Sequence, residues 1–335
     1  MENLEKAISE IKREMPGLKL LENEPMSAHC SFRIGGPVRA LAVPSSVSSL
    51  SKICCILKEN QIAPFILGNG TNILFPDEGL NELFIISTEK LTKMFLLPDG
   101  AIYAEAGVSL AKLAGFAQQN GLKGLEFASG IPGSLGGACV MNAGAYGGEL
   151  KDAVESVVCY YLPEQRLYEL NREQCAFAYR DSFFKKLGGC VVLSAVLRLE
   201  KGDGEEIAGK MRELNEKRRE KQPLEFPSAG SAFKRPEGNY AAALIDQAGL
   251  KGYSVGGARV SEKHAGFVVN TGGASSHDVY DLMMYVRNTV YDKSGIALEP
   301  EIIILPPDYR LEDKGPAIPR HIISGGEQTE EEKKD

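Results

Sequence analysis

Apolar residues recur at helical spacing near the start of the chain. Leu4, Ile8 and Ile11 share one face of residues 3–14, and Pro16 with Gly17 stops the helix. Leu50, Ile53 and Leu57 repeat the pattern over 46–59. Short apolar runs at 64–67, 83–87 and 101–106 predict strands, the third preceded by the turn Pro98-Asp99-Gly100. The pattern at 109–120 predicts a helix with Ser109 as N-cap and Gly121 just beyond its end. Residues 128–148 follow neither period and predict an irregular stretch. Strand-like runs return at 154–161 and 190–199.

Near residue 201 the pattern turns polar: KGDGEE leads into a charged helix ending NEKRREKQP. That shift predicts a boundary between units. Beyond it the spacing predicts a helix at 240–248 closed by Gly249, a strand at 266–270, a long helix at about 276–292 and a last strand at 302–305. From Pro306 the chain is polar and ends EQTEEEKKD, so 307–335 is expected to be a disordered tail. With no internal repeat, the expected architecture is two α+β units rather than one doubly wound sheet. Residues 1–26 lead in, 27–200 form the first unit and 201–306 the second.

Composition narrows the function. The chain has 335 residues, 43% hydrophobic and 25% charged, which suits a folded globular protein. No apolar run approaches the ~18 residues of a membrane span, and the opening MENLEKAISEIKREM carries no apolar signal core. A cytoplasmic location is therefore expected, without membrane insertion. The net charge of −7 argues against a nucleic-acid partner, so any phosphate must be held by local geometry. Seven cysteines without a CxxC pair, and four histidines without HxxxH spacing, support neither a metal site nor a disulfide framework. The cysteines read as small buried hydrophobes.

Glycine is the composition's one excess. There are 36, against about 23 at the average usage of ~7%. Eleven fall in three segments, Ser31–Pro37, Ile66–Leu74 and Ser129–Gly148. Gly68-Asn69-Gly70-Thr71-Asn72 suits either a tight hairpin or a phosphate cradle of backbone amides. It is not a dinucleotide fingerprint, because position 73 is isoleucine. Glycine at the density of 130–148, interleaved with Ile131, Leu135, Val140 and Met141, fits a pocket wall better than a linker.

SFRIGG, FILGNGTNILF, GLEFASGIPGSLGGACVMNAGAYGGE, YRDSFF, GSAFKRPEG, ALIDQAGLKG, GGARVSEKHAGFVVN and LEPE follow one another in this order. Together they resemble the UDP-N-acetylenolpyruvoylglucosamine reductases, flavoenzymes of peptidoglycan synthesis, from about residue 27 to 305. Fifty residues separate Arg180 from Ser231, which resembles the shorter type without an inserted tyrosine loop. The resemblance implies an FAD-binding domain of the vanillyl-alcohol-oxidase type at 27–200, followed by a smaller α+β substrate-binding domain. It implies that Arg33, Gly35, Gly68, Asn69, Gly70, Thr71 and Asn72 bind the cofactor, residues 68–72 at its pyrophosphate. Gly130, Ile131, Pro132, Gly133, Ser134, Gly136, Gly137, Asn142, Ala143 and Gly144 would line the flavin ring and its phosphoribityl chain. No histidine lies in the three glycine segments, so FAD is expected to be held non-covalently.

The resemblance also implies a reaction: hydride from NADPH to flavin, then to the enolpyruvyl ether of UDP-N-acetylglucosamine. A flavin is needed because no side chain carries a hydride. Arg180 matches the family's catalytic arginine, suited to grip a carboxylate through two parallel hydrogen bonds. Ser231 matches the proton donor. Glu301 matches the catalytic glutamate, with Glu299 its near neighbour, and is expected to be protonated so that it donates to the developing enolate. Tyr179, Lys221, Lys263 and His264 match substrate contacts, although His264 reads equally well as a structural histidine. Arg235 stands where one form of the motif has the asparagine of FKNP, and either contacts the diphosphate or turns outward. Besides NADPH and the nucleotide sugar no partner is expected, and the chain should be a monomer or weak oligomer. The alternatives are an FAD-linked oxidase of the same superfamily and a non-catalytic flavin- or nucleotide-sugar-binding protein.

Overall fold

The structure, a computed structural model, describes residues 2–309. The expected tail therefore lies outside the described residues from 310 onward. The helices are α1 (Glu2–Glu14), α2 (Val47–Glu59), α3 (Leu110–Gln119), α4 (Leu135–Met141), α5 (Phe183–Leu187), α6 (Gly204–Lys221), α7 (Ala241–Gln247) and α8 (Ser276–Ser294). Sequence signals set their ends. Ser46 and Ser49 form a reciprocal capping box at α2, Ser109 caps α3, and Ser275 with Asp278 caps α8. Gly121 and Gly249 take the left-handed conformation just past α3 and α7.

A four-stranded sheet forms the middle of the first unit, in the order Lys19–Pro25, Pro37–Val43, Leu80–Ser87, Phe65–Leu67. Its first pair is antiparallel and the others are parallel. Both faces are covered, which is why 83–86 reads as unbroken apolar sequence. Ala40, Ala42, Phe84 and Ile86 pack against Leu4, Ile8, Ile53 and Leu57 of α1 and α2. Leu41, Val43 and Ile85 belong to a second cluster with Phe233, Val279, Leu282 and Val286 of the C-terminal unit. Each such Val, Leu, Ile or Phe side chain contributes about 1.5–3 kcal/mol when fully buried.

A five-stranded antiparallel sheet follows, ordered Arg166–Asn171, Val154–Tyr161, Cys190–Leu197, Ile102–Glu105, Met94–Leu96. Leu113 of α3, Leu135 of α4 and Phe184 of α5 cover its inner face. The third sheet, in the C-terminal unit, runs Ser228–Ser231, Phe267–Asn270, Ala258–Val260, Ser254–Val255. The last strand, Ile303–Ile304, leaves that unit and pairs in parallel with Ile73–Leu74 of the first.

One expectation is corrected. Residues 128–148 are not wholly irregular, because they contain α4 and a two-stranded ladder of Gly144–Ala145 with Gly148–Glu149. Gly136 and Gly137 disfavour a helix. Docking forms it instead: Leu135 N–H donates to Val108 O and Gly136 N–H to Ala106 O, both at 2.8 Å. The strands at 19–25, 37–43 and 166–171 also lacked a clean period. The charged α6 packs against α3, the Glu126–Ala128 turn and the Leu122–Lys123 strand.

Gly36 shows how tightly the first unit closes on its loops. A Cβ there would lie 2.1 Å from Asp77 O and 2.6 Å from Gly79 N. Gly36→Ala is expected to lower stability by at least about 2 kcal/mol, because backbone on the far side cannot yield. Urea denaturation of the two proteins checks it.

Candidate active site

The three glycine segments converge. Ser31 N–H donates to Gly70 O at 3.0 Å, and Asn69 Nδ2 reaches Pro132 O at 3.4 Å. A Cβ on Gly68 would meet Ser134 Oγ at 2.7 Å, and one on Gly70 would lie 2.1 Å from His29 O. Backbone and a φ of 60° enforce glycine at 70, whereas at 68 the neighbour is a hydroxyl that can turn aside. Between the loops Ser134 Oγ is buried and has no hydrogen-bond partner among the described residues, and it does not cap α4. A buried orphan hydroxyl is costly unless a ligand satisfies it. The loop-lined cradle and that hydroxyl fit an anionic group such as the FAD pyrophosphate.

The other residues implied for the cofactor are placed variously. Gly133 lies near Thr71, and Gly136 packs on Ala106. Gly130 faces Asn215 and Arg218 of α6. Ile131 and Ala143 pack on the core beneath the second sheet. Gly144 O accepts from Arg180 Nη2 at 3.2 Å. Arg33 is exposed at φ 57°, and the space a side chain would need at Gly35 is taken by Phe75. Asn142 is fully buried, with its amide bonded to Glu149, Ala178 and Lys151.

Beside this cradle the structure brings Arg180, Ser231 and Glu301 together. Backbone sets two of them side by side: Glu301 N–H donates to Ala232 O at 2.9 Å and Lys234 N–H to Glu299 O at 2.8 Å. Asn72 Nδ2 donates to Glu301 O at 3.1 Å, joining the strip to the loop at 68–72. Arg180 Nε then reaches Glu301 Oε1 at 2.5 Å. Ser231 ends the first strand of the third sheet, directly after Gly230, whose φ is 78°. Its hydroxyl has no hydrogen-bond partner among the described residues.

Glu299 and Glu301 separate cleanly. The Glu299 side chain is 68% exposed and pairs with Lys234, whereas that of Glu301 is 12% exposed. Burial pushes the Glu301 pKa up, opposed by the charge and hydrogen bond of Arg180 and by Lys185 and Lys234. The net direction favours the protonated acid.

Tyr179 and Arg235 meet at a shallow cavity of about 490 Å³, with Lys234, Glu237 and Glu299 also in its wall. Arg235 N–H donates to the Tyr179 hydroxyl at 3.1 Å, and the guanidinium lies 4.5 Å from the centre of the Tyr240 ring. Lys221 is exposed at the end of α6, and Lys263 Nζ donates to Arg219 O at 2.6 Å near it. His264 Nδ1 accepts from Gly266 N–H at 3.2 Å, and its ring stands edge-on to Phe267. Burial lowers its pKa, so it is neutral at pH 7.

Two cations were not singled out from the sequence. Lys185 Nζ donates to Arg180 O at 3.0 Å, and burial together with Lys234 lowers its pKa. Arg218 has no acid partner among the described residues, and burial lowers its pKa too. One signal was available for Arg218: it sits three residues before Lys221 on the same helix.

The raised Glu301 pKa makes a prediction about stability. A group with a folded pKa above its ordinary 4.5 stabilises fully below that value and progressively less as pH rises through the folded pKa. Glu301→Gln keeps an acceptor for Arg180 but cannot ionise. Its melting temperature is expected to gain on that of the wild type as pH rises through the raised value, with the gap constant at lower pH. Thermal melts from pH 3.5 to 8 decide it.

A family model described as an FAD binding domain matches residues 38–162, and one described as UDP-N-acetylenolpyruvoylglucosamine reductase, C-terminal domain, matches 222–305. The UDP-N-acetylenolpyruvoylglucosamine reductase of Caldanaerobacter subterraneus subsp. tengcongensis is 48% identical over 299 residues, covering 89% of this chain and 97% of that relative. That of Clostridioides difficile is 46% identical, covering 85% and 93%. The crystal structure of the Thermus caldophilus reductase superposes with a TM-score of 0.72 at 33% identity, over 86% of this chain and 99% of that one. On the matching domains, the relatives and the shared α+β fold, the chain belongs to the UDP-N-acetylenolpyruvoylglucosamine reductase family and is an FAD-dependent oxidoreductase.

Proposed function

We propose that the protein reduces the enolpyruvyl ether of UDP-N-acetylglucosamine to UDP-N-acetylmuramate at the expense of NADPH, in the cytoplasm, on the way to peptidoglycan. FAD, held without a covalent bond, supplies the hydride relay between the two substrates. Residues 27–200 hold it and 201–306, which open with α6, complete the substrate side. One observation carries the reading above the others: the half-buried Arg180–Glu301 pair lies against the strand end that presents Ser231.

Each side chain then has a task. Arg180 grips the substrate carboxylate, into which negative charge spreads as the double bond is reduced. Glu301, in the protonated form that burial favours, donates a hydrogen bond to that charge. Ser231 gives its proton to the carbon next to the carboxylate. A hydroxyl is a weak acid, but the acceptor is a far stronger base, so transfer needs only alignment. Lys234, Arg235 and Tyr179 line the cavity that takes the diphosphate of the nucleotide sugar. Lys221, Lys263 and His264 form a second group of contacts beyond α6. Ser134 donates to the FAD pyrophosphate together with the amides of residues 68–72.

Two outcomes check this reading. The purified protein is expected to show a bound flavin spectrum, to be reduced anaerobically by NADPH, and to be reoxidised by the enolpyruvyl substrate. Ser231→Ala should reduce normally yet reoxidise at least about a hundredfold more slowly. Equal losses in both halves would make Ser231 positional, and reoxidation by oxygen alone would favour an oxidase. Ser134→Ala removes an unsatisfied hydroxyl, so its apoprotein should be no less stable. Its affinity for FAD is expected to fall about tenfold, the loss of one charge-assisted hydrogen bond, as read by titration of apoprotein.

A further inference from the structure

Arg180 occupies a backbone conformation that its own residue type disfavours. Ala178 and Asp181 exchange both backbone hydrogen bonds, at 3.0 and 3.2 Å, leaving Tyr179 and Arg180 as the two residues of a tight turn. Arg180 takes φ 54°, where glycine or asparagine is normal. Such a turn persists only if its surroundings hold it.

Two side chains from the end of α4 and the start of α5 do so. Asn142 Nδ2 donates to Ala178 O at 2.9 Å, on one side of the turn. Ser182 Oγ donates to Val140 O at 2.7 Å on the other. Both residues are completely buried. The orientation of the Asn142 amide is fixed by its partners: Ala178 O and the Glu149 carboxylate accept, and Lys151 N–H donates at 3.0 Å. Both amide hydrogens are thereby committed, leaving none for a ligand. Asn142 itself sits at φ 42°, ψ 59°, which its side chain tolerates.

We propose that Asn142 and Ser182 form a clamp that positions Arg180 for the substrate carboxylate, so that Asn142 serves the substrate half of the reaction rather than holding the cofactor. Asn142 is a positioning residue, acting through the turn. Glu149 completes the clamp by accepting from the same amide, and its pKa is held down by Lys151, by Asn142 and by the nearby Arg180. The inference rests on the reading of Arg180 given above.

Asn142→Gly keeps the left-handed backbone and deletes the three hydrogen bonds. The variant is expected to retain FAD and to be reduced by NADPH within about twofold of wild type, while reoxidation by the enolpyruvyl substrate slows roughly 10–100-fold. Ser182→Ala should slow the same half-reaction in the same direction, and it decides the matter alone if Asn142→Gly does not fold. Asn142→Asp retains the acceptor but loses both donors, and should resemble Asn142→Gly. Modification of Arg180 by phenylglyoxal, mapped by mass spectrometry in apoprotein, should quicken in each variant. Wild-type reoxidation in the variants, unchanged modification, or loss of FAD with both half-reactions slowed equally would overturn the clamp. A wild-type protein that reduces but is not reoxidised by the substrate would instead overturn the assigned reaction, and the modification rates still test the clamp.

Discussion

The pair of Arg180 and Glu301 is where the molecule closes. Its partners lie 121 residues apart, one on a turn beside the second sheet and one on the strip leading to the last strand. Burial of the carboxyl favours its neutral form and the guanidinium favours the charged one, and burial is the larger effect. An acid poised in that way stays beside a cation without being fully spent on it. Neither group would hold its place without the backbone around it. Glu301 is fixed by Ala232 O and Asn72, and Arg180 by a turn pinned from both sides.

The same strip explains why the units cannot be read as independent. The C-terminal unit covers one face of the first sheet and then returns a strand to it at Ile73–Leu74. That strand continues from the loop at 68–72, whose glycines line the cradle described above. Cradle and acid are therefore two ends of one backbone connection. A displacement of the last strand would move both.

Long periodic elements were legible in the sequence because a single face decides them: α1, α2, α3 and α8 all occur where apolar spacing and caps agree. The strand at 37–43 was harder, because alanine alternates there with larger residues and both faces are buried. Helix α4 had no local signal at all, since its glycines argue for a loop and only docking on Ala106 and Val108 forms it. In the site, motif order singled out Arg180, Ser231 and Glu301, and the structure sets them in one place. Lys185 and Arg218 stayed hidden for a different reason. In a run such as NEKRREKQP every cation looks like solvated surface, and only burial singles out Arg218 among them.

A chain of net charge −7 that is to bind anionic ligands must concentrate its cations locally. The described structure does so with few residues. Arg180, Lys185, Lys234 and Arg235 cluster around the strip and its cavity, and Arg218 faces the glycine wall. Partial burial makes Arg180, Lys234 and Arg218 more effective than a surface lysine, because water screens them less. It also carries a penalty, visible as the lowered pKa values of Lys185 and Arg218. An anion bound among them would relieve that penalty, so part of its binding energy comes from charges the fold holds in an unfavourable place. The cradle at 68–72 and 134 works by the complementary route, with glycine backbone and an orphan hydroxyl in place of charge. The two adjoining surfaces thus differ in their electrostatics, and under the proposed reaction the cationic one is the side where negative charge would develop.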